Sequence, residues 1–146
     1  MDRKFFQHNE LRALHGSPAM VLSEDLNTAA MEYAEHIASI GQMVHDPNLQ
    51  SLGHGENIYW AWASAGTEIN YGNAVEAWYN EITDPGYDFT NPGWQPGAGH
   101  FTQVIFKIFQ TIPLIFFQVV WKASTQLGMG HAIANDGSIY VVARYS

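Results

Sequence analysis

Apolar positions in the first third of the chain recur at helical intervals. Between Arg3 and His15, Phe6, Leu11 and Leu14 mark the inward side of a short helix, with Asp2 as its cap and Gly16-Ser17-Pro18 as its stop. A stronger pattern follows Ser23, where Leu26, Ala30, Tyr33, Ile37 and Ile40 alternate four- and three-residue steps up to Gly41. Glu24 and Asp25 fall in its first turn, where carboxylates meet the positive end of the helix dipole. From Val44 to Ser64 no period is readable: Asp46-Pro47-Asn48 and Gly53-His54-Gly55 are turn signals, and Tyr59-Trp60-Ala61-Trp62 is an aromatic run. Val75, Trp78, Tyr79 and Ile82 predict a third helix over about Asn73 to Ile82, which Asp84-Pro85-Gly86 ends. Tyr87 to Gly99 is a turn-dense loop. Phe101 onward reads as strands, the last from Ser138 to Tyr145 after an Asn135-Asp136-Gly137 hairpin turn. Helices first and strands late predict an α+β layered domain.

Val104 to Gln118, VIFKIFQTIPLIFFQ, sits badly in that pattern. Lys107, Gln110 and Pro113 interrupt it, and it is shorter than the roughly 20 apolar residues that span a bilayer. High β propensity with little charge makes it an aggregation hazard unless it is buried.

Composition narrows the function classes. The 146 residues, 47% hydrophobic, fit one globular domain with a sizeable core. Six Lys plus Arg against 14 Asp plus Glu give a formal charge of −8, the wrong sign for gripping nucleic acid or an anionic membrane. With no Cys there is no disulfide, thiol nucleophile or thiolate metal site. Met1-Asp2-Arg3-Lys4 lacks the apolar run of a secretory signal, and Asp2 stands where myristoylation requires glycine. The start as written therefore favours a cytoplasmic chain.

Seven His raise the question of metal. No HExxH occurs, and His54-Gly55-Glu56 matches the H-x-E of zinc deaminases, whose remaining signature needs Cys. No G-x-S-x-G signals a serine hydrolase. Gly97-Ala98-Gly99 and Gly128-Met129-Gly130 read as turns beside strands. His8 and His15, seven apart on one helix face, read as packing or capping groups, and His36 and His131 as ordinary surface or core His. Trp60, Trp62, Trp78, Trp94 and Trp121 could form a carbohydrate or lipid platform, although aromatics in a small domain are mostly core.

Taken in order, His8-Asn9-Glu10-Leu11-Arg12, Gly55-Glu56-Asn57-Ile58, Ala74-Val75-x-x-Trp78-Tyr79-x-Glu81-Ile82, Tyr87-Asp88-Phe89, Gly99-His100-Phe101-Thr102-Gln103, Val119-Val120-Trp121-Lys122 and Tyr140-Val141-Val142-Ala143-Arg144-Tyr145 resemble the CAP superfamily. This family of SCP-domain proteins holds the cysteine-rich secretory, antigen five and pathogenesis-related proteins. The chain is most similar to its disulfide-free, Golgi-associated branch. The resemblance implies one SCP domain over residues 1–146, folded as a three-layer α-β-α sandwich with a central cavity lined by His45, Glu56, Glu81 and His100. Two neutral imidazoles can hold Zn²⁺ while a carboxylate orients a bound water. The plainer reading is that Glu56 and Glu81 satisfy buried backbone donors and the two His are their hydrogen-bond partners.

Relatives read GHFTQVVWK without a break, whereas this chain carries the 15 residues Val104 to Gln118 between GHFTQ and VVWK. Its first Val codon must begin with GT, and Phe116-Phe117-Gln118 can be encoded by a pyrimidine tract ending in CAG, so a retained in-frame intron is one reading and a variant loop the other. Either places an insertion inside the family's central strand. Gln103-Val104-Ile105-Phe106-Lys107 imitates Gln118-Val119-Val120-Trp121-Lys122, so one copy can fill the strand slot, with His100 kept in place and a turn near Pro113.

The function these observations imply is non-enzymatic: binding of a lipid or other small hydrophobic ligand, or of protein partners, through the cavity and its groove. A zinc-dependent hydrolase using His45 and His100, with Glu56 or Glu81 as general base, is the second reading. A non-functional mis-spliced product is the third. The branch implies homodimers and membrane association, the latter set against the charge of −8 and Asp2. Location is expected to be cytoplasmic or peripheral on Golgi membrane, or extracellular if further residues precede Met1.

Overall fold

A computed structural model of the chain describes residues 3–62, 68–91, 95–105 and 124–146. Local chemistry sets the helices. In α1 (Arg3–Leu14) the buried side is not the expected one: Phe6 and Leu14 face solvent, while His8 and Arg12 are buried beside Phe5 and Leu11. Hydrogen bonds decide this. His8 Nε2 lies 3.1 Å from Tyr145 Oη, and Arg12 donates through Nε to Pro18 O at 2.7 Å and through Nη2 to Ser124 O at 3.3 Å, so both polar groups enter the core with partners.

Helix α2 (Glu24–Ile40) follows its sequence signals. Ser23 Oγ accepts the Leu26 N–H, and Gly41 closes the helix in the left-handed conformation at φ 63°. Within the stretch expected to be irregular lie a short turn of helix, α3 (Leu49–Leu52), and a full strand, β2 (Gly55–Trp62). Helix α4 (Tyr71–Asn80) begins two residues earlier than expected, because Asn70 Oδ1 caps it by accepting the Gly72 N–H. A tight turn over Ile82–Gly86 follows.

The expectation of strand from Phe101 is corrected. Gly99–Ile105 forms α5, so the insertion begins in a helix and not in a central strand. β propensity at Phe101 and Thr102 yields to local hydrogen bonding, with the first amides of α5 donating to the Glu81 carboxylate and Thr102 Oγ1 to Gly99 O. Residues 106–118 of the insertion, the expected turn at Pro113, and Trp94 and Trp121 lie outside the described residues.

Among the described residues the sheet has the order β1-β3-β4-β2, with β1 (Val21–Leu22) parallel to β3 (Gln126–Ile133), and β3 and β2 both antiparallel to β4 (Ser138–Tyr145). All of β4 is buried, and its period of two divides the core. Ile139, Val141, Ala143 and Tyr145 pack with Met20, Ala74, Val75, Trp78 and Phe101 on the α1, α4 and α5 side. Tyr140 and Val142 pack with Ile58 and with Ala30, Ala34, Ile37 and Ala38 of α2 on the other. Helices on both faces of one sheet make the α-β-α sandwich.

Gly128 and Gly130 are not turn glycines. Both lie mid-strand in β3 under α2, where a Cβ would come within 2.1 Å of Leu26 C and 2.3 Å of Met31 N. Their missing side chains let the helix backbone rest on the sheet.

Candidate functional site

Four side chains expected at the cavity form two His–carboxylate pairs. Glu81, at the C-terminal end of α4, accepts from His100 Nδ1 at 2.6 Å through Oε1. Its Oε2 accepts the backbone N–H of His100 and of Phe101, each at 3.0 Å, so one carboxylate satisfies the first amides of α5 and complements the positive end of that helix. The His100 ring stacks on Trp78, at 6.3 Å and 23°, and Trp78 Nε1 donates to Ile58 O at 3.2 Å. Replacing Glu81 by Gln removes the charge and turns an amide donor toward these donors. Hydrogen exchange at the His100 and Phe101 amides is expected to lose roughly ten- to a hundredfold protection, matching about 1.5–3 kcal/mol for hydrogen bonds to a charged acceptor.

The second pair is built at the start of β2. Glu56 Oε1 accepts from His45 Nδ1 at 2.7 Å and from the Asp46 N–H at 3.1 Å. The glutamate side chain is 0% exposed, whereas the His45 ring is 59% exposed. Arg144, from β4, donates through Nη2 to Asp46 Oδ2 at 2.8 Å and forms an ion pair with Glu56 Oε2 at 3.0 Å, off the hydrogen-bond direction. Its guanidinium lies over the Tyr33 ring, 4.9 Å from the centroid, and Tyr33 Oη donates to Val44 O at 2.9 Å.

Burial alone would raise the Asp46 carboxyl, but hydrogen bonds from Arg144 and the Asn48 N–H outweigh it and hold the group below its ordinary range. Burial, with Arg144 nearby, lowers His54, whose Nδ1 is buried without a hydrogen-bond partner. Burial also lowers His15.

Asn57 joins the two halves. The pleat sends Glu56 to the α2 side and Asn57 to the other, where its Nδ2 donates to His100 O and to Tyr145 Oη, each at 3.1 Å. Burial pushes the Tyr145 phenol well above its ordinary value, so it stays protonated and is placed to donate to His8 Nε2. His8 and His15 are thus packing groups, the latter bonded to Tyr79 Oη at 3.0 Å. His36 is exposed, and His131 meets Tyr71 Oη.

His45 joins Glu56 and His100 joins Glu81, but no group of three or more His, Cys, Asp or Glu is gathered to hold a metal among the described residues. A carboxylate behind each imidazole is a common support for a metal-ligating His. As arranged, the four side chains form two hydrogen-bonded pairs. Asn57, Asp46, Arg144 and Tyr33 are not assigned to the site by the sequence, and all four hold it. The signal for Arg144 was present: a charge inside the otherwise apolar Tyr140–Tyr145 run requires a buried partner.

The family model for the cysteine-rich secretory protein family, CAP, matches residues 5–145. The chain belongs to the CAP family. Within it, human Golgi-associated plant pathogenesis-related protein 1 is 37% identical over 139 residues, 94% of this chain and 76% of that protein. Protein PRY2 of Saccharomyces cerevisiae is 33% identical over 141 residues, 95% of this chain but 34% of the yeast protein. A crystal structure of NaASP2 with Zn2+ shares the CAP fold at a TM-score of 0.67 with 22% identity, covering 100% of this chain and 80% of that one. No helix among the described residues is long and apolar enough to cross a membrane.

Proposed function

We propose that this CAP protein is a non-enzymatic binding module that takes a lipid or other small hydrophobic ligand through the groove beside His100. The observation that carries the reading is the use already made of both carboxylates. Glu56 is fully buried and shared among His45, the Asp46 amide and Arg144, and Glu81 holds the start of α5, so each acts as a clamp on a loop and neither stands free as a general base. An aromatic cluster lies between α1 and the start of α5. Phe89, exposed, stacks on His15 at 6.1 Å and 6° and meets Tyr87 edge-on at 4.9 Å, while His15 packs edge-on against Phe101 at 5.9 Å. Exposed apolar surface at Phe89 beside the His15 imidazole suits an amphipathic ligand. Protein partners on the same groove and a homodimer belong to this reading. A Golgi-peripheral location is supported by the name of the human relative, and the charge of −8 opposes attachment to anionic membrane.

Titration with a dansyl-labelled long-chain fatty acid tests it. Fluorescence should saturate with the native chain, and Phe89→Ala should weaken binding about tenfold, the effect of losing one partly buried aromatic contact. No uptake, or equal affinity in the variant, would reject the groove. For zinc, the His–carboxylate pairing is the favourable feature, and calorimetric zinc titration is the test. Uptake and zinc-dependent ester or peptide hydrolysis that vanish together in His45→Ala/His100→Ala would replace the binding reading with a hydrolase.

A further inference from the structure

We propose that Arg144, Glu56 and His54 enclose a site for internal water on the α2 side of the sheet. The Arg144 and Glu56 side chains are 1% and 0% exposed. Arg144 spends Nη2 on Asp46 and Glu56, yet the hydrogens on Nε and Nη1 meet no acceptor among the described residues. Glu56 Oε2 faces that Nη2 at 3.0 Å but receives no aligned hydrogen bond, and His54 Nδ1 is buried without a partner. Unused donors on a buried cation are costly, and ordered water is how folded proteins satisfy such groups.

Strand register gathers these atoms. Glu56 stands opposite Arg144 across the β2–β4 pair, and Gly128 stands opposite Arg144 on β3. His54 immediately precedes β2, and the charges of Arg144 and Asp46 both act on its ring. The space is walled on several sides. The Tyr33 ring covers the guanidinium at 4.9 Å, the α2 backbone rests on Gly128, and the chain at His45 and Asp46 is tied to Glu56 Oε1. The groove beside His100 is separate, since the pleat of β2 turns Asn57 and its bond to His100 O to the opposite side of the sheet.

Charge and hydrogen-bonding character select the occupant. Asp46 and Glu56 outnumber the one guanidinium they share, so a small anion is repelled, and a cation would meet the unused Arg144 donors. The open positions also mix roles: Nε–H and Nη1–H only donate, Glu56 Oε2 only accepts, and His54 Nδ1 does either according to its tautomer. Water is neutral, fits a closed space and both donates and accepts, and an internal water typically has about two to four such partners. His54 N donates to Leu49 O at 3.1 Å, so a water held by the ring ties the end of α3 to β4.

Nuclear magnetic resonance and crystallography test the site on the full chain. A water-selective rotating-frame Overhauser experiment should give a direct cross-peak between water and the Arg144 Nε–H, assigned through its contacts with the Tyr33 ring. A crystal structure should show an isolated oxygen about 2.7–3.2 Å from Arg144 Nε or Nη1 and at similar distance from Glu56 Oε2 or His54 Nδ1. His54→Phe keeps a ring and removes the nitrogen, so with its fold confirmed by circular dichroism the water cross-peak should be lost. No cross-peak in the native chain, or protein acceptors within hydrogen-bond distance of both Arg144 nitrogens, would overturn the proposal. An unchanged cross-peak in His54→Phe would show a water held without the imidazole and overturn the shared site. Crystals grown in bromide add a further arm: an anomalous peak beside Arg144 would make the occupant an anion and overturn its assignment as water.

Discussion

Gly128→Ala is expected to cost the domain about 3 kcal/mol or more of stability, and Gly130→Ala nearly as much. A methyl group at Gly128 would stand 2.1 Å from Leu26 C, 2.3 Å from Asn27 N and 2.4 Å from Leu26 Cβ. At Gly130 the obstacles are Met31 N at 2.3 Å, Met31 Cα at 2.4 Å and Ala30 C at 2.7 Å. These are mainly backbone atoms, so no rotamer change relieves them and α2 must lift by about 1 Å or more to reach ordinary contact distance. Lifting it separates Ala30, Ala34 and Ile37 from the sheet and pulls Asn27 Oδ1 from the Met129 N–H, now 2.9 Å away. Overpacking typically costs about 1–3 kcal/mol, and a rigid backbone obstacle places these variants at or above the upper end. For a domain stabilised by about 5–15 kcal/mol that is a substantial share of the total. Gly16→Ala is the control: its φ is 67° with nothing within 4 Å, so only left-handed strain of about 1–2 kcal/mol is expected. Urea titrations followed by circular dichroism separate the cases, and a Gly128→Ala midpoint near the native one would show that α2 does not rest on the strand in this way.

The same glycines show where sequence reading stops. A Gly-x-Gly pair beside apolar residues is as good a turn as a strand, and only the helix above β3 distinguishes them. Helix α2 was legible because its signals are local: the Ser23 cap, the acidic first turn, the apolar stripe and Gly41 all lie within the segment they specify. The Asn135-Asp136-Gly137 turn was legible for the same reason, with the Ser138 N–H closing on Asp136 Oδ1 at 2.9 Å. Strand β2 was missed because it is read differently along its length. Its first four residues are buried and its remainder alternates, so no single period covers Gly55 to Trp62. Helix α5 was missed because the carboxylate that receives its first amides is Glu81, far away in sequence. The burial of α1 turned on His8 and Arg12, whose partners Tyr145, Pro18 and Ser124 are likewise supplied by the folded chain.

For the site, the quoted motif blocks contained most of the residues but not their roles. The resemblance named His45, Glu56, Glu81 and His100, and the structure pairs them His45 with Glu56 and His100 with Glu81. What joins the halves is Asn57, inside the GENI block and unremarkable in composition. Its importance follows from strand pleat, since neighbours on β2 point to opposite faces and the two pairs can be reached from one strand only by adjacent residues. Trp60 and Trp62 depart from the expectation that aromatics are core, whereas Trp78 fulfils it. The difference is set by which part of the sheet α2 covers.

Arg144→Met is expected to cost about 3–5 kcal/mol at neutral pH, because it leaves the Glu56 and Asp46 carboxylates buried beside each other without a cation. For a chain of 146 residues that corresponds to a Tm lower by roughly 10 °C. Methionine fills much of the same volume, so the loss is one of charge compensation and not of packing. Acid then separates this account from a simple packing defect. In the native chain the Asp46 pKa is lowered, so its contribution is present above the unfolded value of about 4 and is lost as pH falls through the folded value. His15 and His54 are lowered too, and their contributions are complete above about 6.5 and erode as pH falls below it. Native stability should therefore decline from about pH 6.5 downward. In Arg144→Met the burial that raises Asp46 is opposed only by Asn48, so protonating Asp46 relieves the variant, and His54 loses a neighbour that depresses it. The gap between native and variant should narrow from pH 7 to about 4.5, and Asp46→Asn/Glu56→Gln added to Arg144→Met should recover part of the loss at pH 7. Urea unfolding at both pH values measures this. A gap that stays constant with pH, with no recovery in the triple variant, would mean that Arg144 supports the fold through the contact of its guanidinium with the Tyr33 ring and not by neutralising the two acids.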